Sequence, residues 1–352
     1  MNLNKVFEPI NIGKVVVPNR IVLAPMDTNL ASDDGFVTEK LIEHYRKRAS
    51  GGIGLITVEI TSINPMREMK PTNNLSAFDD KFVPGLFKLA RAIREEGAVA
   101  SLQLGDFLHA INKKPADLSV LEIEEIINEF VSAAVRVKEA GFDIVDYHMA
   151  HRYTIADFLS KYANKREDSY GKNLYGRTKF AETIVRETKK RLGEDFPIVC
   201  RINGDEFMVG GNTIIDSTYI SKNLVRAGAD AIHVSAGGRI ELGGSRSYSS
   251  YRQVPTSEMA DGLNVHLAEQ IKKKVKNVPI ITVGKISNPG LIEEIVNEGK
   301  ADMVAIGRAA LADADFVNKM KEKRPFRRCI FKNDCIRLYL KNEPVKCVTY
   351  DS

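Results

Sequence analysis

The sequence predicts one α/β domain, residues 1–352, folded as a (β/α)₈ barrel with an N-terminal hairpin cap and a helical, cysteine-containing C-terminal extension. Eight short apolar stretches recur along the chain, and a stretch of helical period follows each one. The apolar stretches lack polar alternation, which is typical of strands buried on both faces of a parallel sheet. Eight such units without a glycine-rich dinucleotide motif favour a barrel over a doubly wound sheet.

The strand predictions follow the apolar stretches in order: 21–24, 53–58, 99–104, 144–147, 198–202, 231–234, 279–283 and 303–306. A hairpin over 7–17 precedes them and is expected to plug the lower end of the barrel. Ser119 and Glu122 have the spacing of a capping box, and Asn288-Pro289 is a typical helix start. Glycine closes the helices that precede four strands, at Gly97, Gly141, Gly228 and Gly299.

Composition excludes several classes of protein. The 51 Lys and Arg nearly balance the 46 Asp and Glu, so the net charge of +5 gives no reason to expect nucleic-acid binding. No apolar run is long enough for a membrane helix, and the first ten residues do not form a secretion signal. Four cysteines in 352 residues exclude a disulfide scaffold and suit a reducing cytoplasm.

The longer connections all follow strands, at 61–78, 105–118, 148–174 and 236–262. In a barrel these loops gather at the C-terminal face, where active sites lie. Gly284 and Gly307 follow the last two strands, where barrels commonly bind phosphate through backbone amides and a following helix. Arg308 can add a forked contact to that phosphate. The alternative is that these are turn glycines and a surface arginine.

His148, His151 and Tyr153 follow the fourth predicted strand. Two imidazoles three residues apart are compatible with a metal, although no third ligand is evident nearby, with a pair that binds an anionic or carbonyl oxygen, or with a structural role. Tyr153 is either a proton donor or an ordinary loop aromatic. The chain has no nucleotide-binding glycine motif, no Walker loop and no G-x-S-x-G, which disfavours a dedicated dinucleotide fold and a hydrolase.

These residues stand in a series of motifs that resembles the Old Yellow Enzyme family of FMN-dependent barrel oxidoreductases over nearly the whole chain. The motifs are Pro18-Asn-Arg20, Arg48-Ala-Ser-Gly51-Gly52, Gln103-Leu104, Ala140-Gly-Phe-Asp143, His148-Met-Ala-His151-Arg-Tyr153, Asp157-Phe-Leu-Ser160, Gly204-Asp-Glu-Phe207 and Gly307-Arg308. Each motif alone is weak evidence, and their order and spacing together are specific.

The resemblance implies FMN as cofactor and NAD(P)H as reductant. The residues it assigns to the flavin are Pro25, Met26, Asp27, Ile60, Gln103, Arg201, Gly284, Gly307 and Arg308. Within that set, Gln103 would bind the pyrimidine edge, and Arg201 would place a positive charge near N1. His148 and His151 would hold the carbonyl oxygen of an unsaturated substrate, and Tyr153 would deliver a proton.

Two positions depart from the family pattern. Many relatives carry histidine two residues after Gln103-Leu104, where this chain has Gly105-Asp106. A hydroxyl or thiol is common at the position of Asp27, and Thr28 is expected to take its place. Both changes fall in the predicted pocket.

The tail resembles the iron–sulfur segment of the 2,4-dienoyl-CoA reductase branch, whose four cysteines have the spacing C-x₂-C-x₃-C-x₁₁-C. Here Cys329, Cys335 and Cys347 remain, and Lys332 stands where the second ligand is expected. We interpret residues 325–352 as a degenerate [4Fe–4S] site, with a three-cysteine cluster as the alternative. The branch's FAD and NAD domains do not follow, so electrons are expected from NAD(P)H or a partner protein.

The leading functional hypothesis is an FMN-dependent reductase of an activated C=C bond in a small unsaturated carbonyl compound. The partners expected for such a protein are a second copy of the chain or an electron-donor protein. A second hypothesis is a flavin dehydrogenase of an amine or cyclic substrate, for which the loops offer mainly Tyr248 and Tyr251 as an aromatic cage. A third is a flavin-binding protein that has lost turnover.

Overall fold

The structure is a computed structural model that describes residues 2–68, 72–238 and 248–350. The strands are β1 (Ile10–Ile12), β2 (Val15–Val17), β3 (Ile21–Leu23), β4 (Leu55–Ser62), β5 (Leu75–Ser76), β6 (Val99–Gly105), β7 (Ile144–Met149), β8 (Ile198–Asn203), β9 (Ala231–Ser235), β10 (Ile280–Val283) and β11 (Met303–Ile306). In the described part of the chain, eight of them form a closed parallel barrel in the order β3-β4-β6-β7-β8-β9-β10-β11, with β11 pairing back to β3. The predicted (β/α)₈ barrel is therefore confirmed.

The helices lie between the strands and after them. They are α1 (Glu39–Ser50), α2 (Val83–Glu95), α3 (Val120–Glu139), α4 (Thr154–Leu159), α5 (Leu174–Leu192), α6 (Ile214–Ala227), α7 (Tyr248–Gln253), α8 (Val265–Lys274), α9 (Pro289–Asn297), α10 (Arg308–Ala312), α11 (Phe316–Lys321) and α12 (Asp334–Leu340). Ser119 and Glu122 form the predicted capping box at the start of α3, and the Asn288 side chain caps α9. Both starts satisfy backbone amides that have no partner within the helix.

The predicted strands are confirmed, with one boundary that matters for the site. β4 continues to Ser62, four residues beyond the predicted end, so Glu59 and Ile60 lie within the strand. The predicted loop 61–78 contains the short strand β5, which pairs with the end of β4. Residues 69–71 and 239–247 lie outside the described residues, and with them parts of the predicted loops 61–78 and 236–262.

The predicted hairpin is confirmed and closes the N-terminal end of the barrel. β1 pairs antiparallel with β2, and Ile12 of β1 and Val17 of β2 are fully buried. They pack in one apolar cluster with the first inward-facing residues of the barrel strands, including Val22, Leu55 and Ile144. A second, larger cluster lies between the barrel and its surrounding helices. The open end of the barrel is therefore the C-terminal one, where the candidate residues lie.

The C-terminal tail returns to this open end. The amide of Val345 donates to the carbonyl of Thr28 at 2.8 Å. The side chain of Asn29 donates to the carbonyls of Tyr339 and Glu343 at 3.0 and 3.1 Å. The tail thus packs on the loop that follows β3. The prediction that residues 1–352 form a single domain stays a prediction.

No helix in the described ranges combines the length and apolar character needed to cross a membrane.

Candidate functional site

Three neighbouring strands place nitrogen-bearing side chains at one level of the barrel. His148 of β7 is in register with Arg201 of β8, which is in register with His233 of β9. In-register residues of a parallel sheet point to the same side. All three are buried, yet His148 Nδ1, Arg201 Nε and both ring nitrogens of His233 have no hydrogen-bond partner among the described residues. Buried polar atoms are normally satisfied, so this row indicates a ligand site.

The two candidate histidines are held as neutral imidazoles. Burial lowers the pKa of His148 well below its usual range, and the positive charge of Arg201 adds to that effect. Burial and Arg201 lower the pKa of His151 in the same direction. A neutral imidazole keeps one N–H donor. Both side chains are therefore suited to donate to an oxygen rather than to carry charge.

Tyr153 lies against this pair. Its ring centroid is 4.3 Å from that of His148, and His151 lies 5.1 Å from His148. His151 Nε2 is 2.7 Å from the hydroxyl of Ser235 at the end of β9. The structure therefore brings the three predicted catalytic residues together at the end of β7 and in the turn that follows it. Their catalytic role stays a prediction.

A small cavity of about 20 Å³ adjoins Tyr153. Tyr153, Ile60 and Phe107 form a small apolar cluster on one side of it, apart from the main core. Gly105 makes this packing possible, since a Cβ there would lie 2.2 Å from Ile60 Cδ1. Asp106 also lines the cavity, so it is apolar on one side and polar on the other. Apolar and polar side chains therefore meet beside Tyr153.

Gln103 lies one strand away from the histidines. It is in register with Ile60 of β4 and with Asp146 of β7, and its Nε2 donates to Asp146 Oδ1 at 2.7 Å. Burial raises the pKa of Asp146 to about 7, although Gln103 and Arg201 oppose the shift. Arg201 Nη1 reaches the carbonyl of Pro25 at 3.5 Å. These contacts orient the amide of Gln103 and the guanidinium of Arg201.

The predicted phosphate glycines lie at the ends of adjacent strands, β10 and β11. A Cβ at Gly307 would lie 2.7 Å from Met26 Sδ, and one at Gly284 would lie 2.7 Å from the side-chain nitrogen of Asn264. Gly284 also has φ +138°, which side-chain-bearing residues rarely adopt. The backbone at both strand ends is thus in close contact with neighbouring side chains.

Arg308 faces the tail. Its Nη1 donates to the carbonyl of Pro255 at 2.7 Å and to the side chain of Asn333, and its guanidinium lies over the ring of Phe331. Burial lowers its pKa. Arg308 therefore links the last barrel strand to the extension, and its predicted contact with phosphate stays a prediction.

Cys329, Cys335 and Cys347 line one cavity together with Arg308. All three are free thiols, and burial raises the pKa of Cys329 and Cys335. Within the described part of the chain, no group of three or more His, Cys, Asp or Glu side chains is arranged to hold a metal ion.

Thr28 contacts a carboxyl inside β4. Its hydroxyl donates to Glu59 Oε2 at 2.5 Å and its side chain is buried. The expectation that Thr28 takes the place of a hydroxyl or thiol beside the flavin stays a prediction. Burial raises the pKa of Glu59 to about 8, and the negative charge of Asp27 contributes.

Sequence reasoning assigned no role to Glu59, His233 or Tyr339. A charged residue within the apolar stretch Leu55–Ser62 was a usable signal for Glu59. His233 lies likewise inside a buried strand. Tyr339 had no local signal: it belongs to α12, and it hydrogen-bonds with Asp27 and Thr72, about 300 residues away in the chain. Only the tertiary structure places the phenol of Tyr339 at the open end of the barrel.

The chain matches, over residues 5–327, the model of the NADH:flavin oxidoreductase / NADH oxidase family. It belongs to this family. The resemblance to Old Yellow Enzyme and the prediction of FMN with NAD(P)H as reductant are thereby confirmed at the level of the family.

Two curated relatives and one solved structure illustrate the similarity. NADH oxidase of Thermoanaerobacter brockii is 40% identical over 92% of this chain and 52% of its own length. NADPH dehydrogenase of Bacillus subtilis is 32% identical over 89% of this chain and 93% of its own. A 2-naphthoyl-CoA reductase complex superposes with a TM-score of 0.89 and 26% identity, over 98% of this chain and 57% of that one. The chain spans about half the length of the curated relatives it matches first.

The residues present fit a flavin nucleotide. Such a group offers ring carbonyls and nitrogens as acceptors, and the row of His148, Arg201 and His233 holds buried nitrogens that have no partner within the described ranges. Gln103 is an amide that can pair with both donors and acceptors. At the ends of β10 and β11, Gly284 and Gly307 add no side chain of their own. The donor set and the open end of the barrel therefore agree with FMN.

Proposed function

We propose that this chain is an FMN-dependent reductase that uses NAD(P)H to reduce a C=C bond activated by a carbonyl group. The observation that carries the proposal is the arrangement of His148, His151 and Tyr153, two neutral imidazoles beside a phenol at the open end of the barrel. When bound, FMN would supply hydride to the substrate after being reduced by NAD(P)H.

The histidines are proposed to bind the carbonyl oxygen of the substrate. Negative charge grows on that oxygen as the β-carbon accepts hydride, and two prearranged N–H donors stabilise it. Their low pKa matters, because an imidazole that is neutral in the resting site costs little to bury. Arg201 adds positive charge behind them, since it is in register with His148.

Tyr153 is proposed to give its phenolic proton to the α-carbon. A well-placed general acid contributes about 10²–10⁴-fold to a rate. The residues proposed to hold the flavin are Pro25, Met26, Asp27, Ile60, Gln103 and Arg201, with Gly284, Gly307 and Arg308 at its phosphate.

The apolar side of the cavity beside Tyr153 favours a substrate with an apolar group next to its carbonyl. A thioester carbonyl offers the same acceptor oxygen as a ketone or an acid. Because a similar structure is a complex with 2-naphthoyl-CoA, aryl-CoA thioesters belong in the substrate panel beside simple enones.

The test has two stages with the purified chain. We expect a flavin spectrum, with FMN released by acid, bleached by NADH or NADPH without oxygen, and recovered on adding 2-cyclohexenone or cinnamoyl-CoA. A protein that bleaches with NAD(P)H and recovers with oxygen but with none of the unsaturated compounds would contradict the reductase. A colourless protein that does not take up added FMN would contradict the cofactor assignment as well.

A further inference from the structure

Tyr153 follows a turn in an uncommon backbone conformation. His151 and Arg152 have φ of +60° and +64°, in the left-handed region. Two successive left-handed residues without glycine are energetically unfavourable, and they persist where surrounding contacts hold them. The contacts on either side of Tyr153 therefore decide where its hydroxyl lies.

On the C-terminal side, the contacts are made by Thr154, the residue after Tyr153. The amide of Thr154 donates to the carbonyl of Asp106 at 2.9 Å, and its hydroxyl donates to Asp106 Oδ2 at 2.5 Å. The same hydroxyl accepts from the amide of Leu108 at 3.0 Å. Thr154 is thus joined at three points to the segment that follows β6, immediately beside Tyr153.

Asp106 is itself fixed. Its side chain is fully buried, and its Oδ1 accepts from Arg67 Nε at 2.6 Å. Arg67 also pairs with Glu129 of α3, and its carbonyl accepts from the amide of Phe107 at 3.2 Å. The ring of Phe107 lies 5.8 Å from that of Tyr153. The chain of contacts from α3 to Tyr153 is therefore continuous.

A second carboxylate holds the other side of the turn. Asp157 Oδ1 accepts from Arg152 Nε at 2.5 Å, and its Oδ2 lies 2.8 Å from His109 Nε2. These contacts restrain Arg152, and neither of them involves Thr154. The two sides can therefore be altered separately.

We propose that Asp106, acting through Thr154, is the positioning residue for Tyr153. This inference rests on the proposed function, in which Tyr153 delivers a proton. Asp106 stands where many relatives have histidine. The positioning role predicts that the Thr154 hydroxyl matters for proton delivery although it does not itself touch the reacting atoms.

The charges around Asp106 provide a readout that a structural role would not share. Burial raises its pKa to about 6, against the positive charge of Arg67 and with a small contribution from Glu129. Across the turn, Arg152, His109 and Asp157 are the charged or titratable neighbours. Protonation of Asp106 removes its ion pair with Arg67, so the contacts by which Asp106 holds Thr154 are expected to loosen below about pH 6.

The experiment measures the two half-reactions of the flavin-loaded protein separately by stopped flow. The variants are Thr154→Val, which removes the hydroxyl, Thr154→Ser, which keeps it, Asp106→Asn and Tyr153→Phe. Thr178→Val is the matched control, since Thr178 is a buried threonine whose hydroxyl bonds within α5.

We expect Thr154→Val to slow reoxidation by 2-cyclohexenone by about 10-fold, within what a small misplacement of a reacting group costs, and to leave reduction by NADPH within about 2-fold. Thr154→Ser should restore most of the rate. The wild-type reoxidation rate should fall below about pH 6, and that fall should be absent in Asp106→Asn. Thr178→Val should match the wild type.

Combining Thr154→Val with Tyr153→Phe distinguishes the possible failures. If the Thr154 hydroxyl acts through Tyr153, adding Thr154→Val to Tyr153→Phe should slow reoxidation by less than about 2-fold more. The positioning role would be overturned if Thr154→Val slowed reoxidation equally in the wild type and in Tyr153→Phe. It would also be overturned if Thr154→Val slowed both half-reactions equally. If Tyr153→Phe is slow while Thr154→Val is normal, this inference alone fails. If Tyr153→Phe reoxidises at the wild-type rate, the proposed proton donor fails, and the positioning role with it.

Discussion

The rings of His148 and Tyr153 lie 4.3 Å apart with their planes inclined by 39°. One belongs to the end of a buried strand and the other to the turn after it. The contact places an imidazole and a phenol side by side at the open end of the barrel. It also connects a residue of the rigid strand β7 with a residue of a turn that is held by side-chain hydrogen bonds.

Removing one imidazole donor should weaken both binding and turnover of a carbonyl substrate. We expect His148→Ala to lower kcat/KM for 2-cyclohexenone by about 10²–10³-fold, as is usual for the loss of one oxyanion donor. The rate of FMN reduction by NADPH should change far less. His266→Ala, in α8, is the control, and equal losses in these two variants would contradict the donor role.

Adding a methyl group at the end of β11 should disturb the proposed phosphate side. Gly307→Ala brings a Cβ within 2.7 Å of Met26 Sδ, so one of the two must move. We expect FMN to dissociate at least about 10-fold more readily, measured by fluorescence of released flavin. Met26 has a flexible side chain, so Gly307→Ala with Met26→Ala should recover part of the affinity.

Gly97→Ala serves as the control for Gly307→Ala, because a Cβ there meets nothing within 4 Å, although its φ of +83° costs some stability. Unchanged FMN retention in Gly307→Ala would show that this strand end is not part of the flavin site.

Glu59 should make stability depend on pH in a direction opposite to that of a surface carboxyl. Folding raises its pKa from 4.5 to about 8, first through burial and then through Asp27. The folded protein therefore keeps a proton that the unfolded chain releases, and stability falls as pH rises from about 4.5 to 8. Glu59→Gln cannot ionise and should lose this dependence.

The measurement is the thermal midpoint of both proteins at pH 5 and pH 9. We expect the difference between Glu59→Gln and wild type to be more positive at pH 9 than at pH 5. Glu125→Gln, an exposed position on α3, is the control. A difference that is the same at both pH values would show that Glu59 is ionised throughout.

The hairpin should stabilise the barrel through its buried residues. Ile12 is fully buried in the cluster at the lower end, whereas Val16 of the same hairpin is 59% exposed. We expect Ile12→Ala to lower the free energy of unfolding by about 2–4 kcal/mol and Val16→Ala by less than about 0.5. Urea unfolding measures both, and similar small losses would mean that the hairpin does not contribute to the core.

Much of the fold could be predicted because its signals are local. An apolar stretch such as 144–147 reads as a buried strand, and Ser119 with Glu122 marks a helix start within four residues. The end of β4 was less predictable, since Glu59 interrupts the apolar pattern and is accommodated through Thr28 and Tyr45, which come from other elements.

The sequence by itself determined the barrel, its hairpin and the family, because periodicity, caps and ordered motifs are properties of neighbouring residues. It also placed His148, His151 and Tyr153 beside one another, since five positions separate the first from the last. Only the tertiary structure decided that His233 and Arg201 share a level with His148, that Asp106 holds Thr154, and that Tyr339 reaches Asp27. Those relationships depend on strand register, burial and the path of the tail, which join residues far apart in the chain.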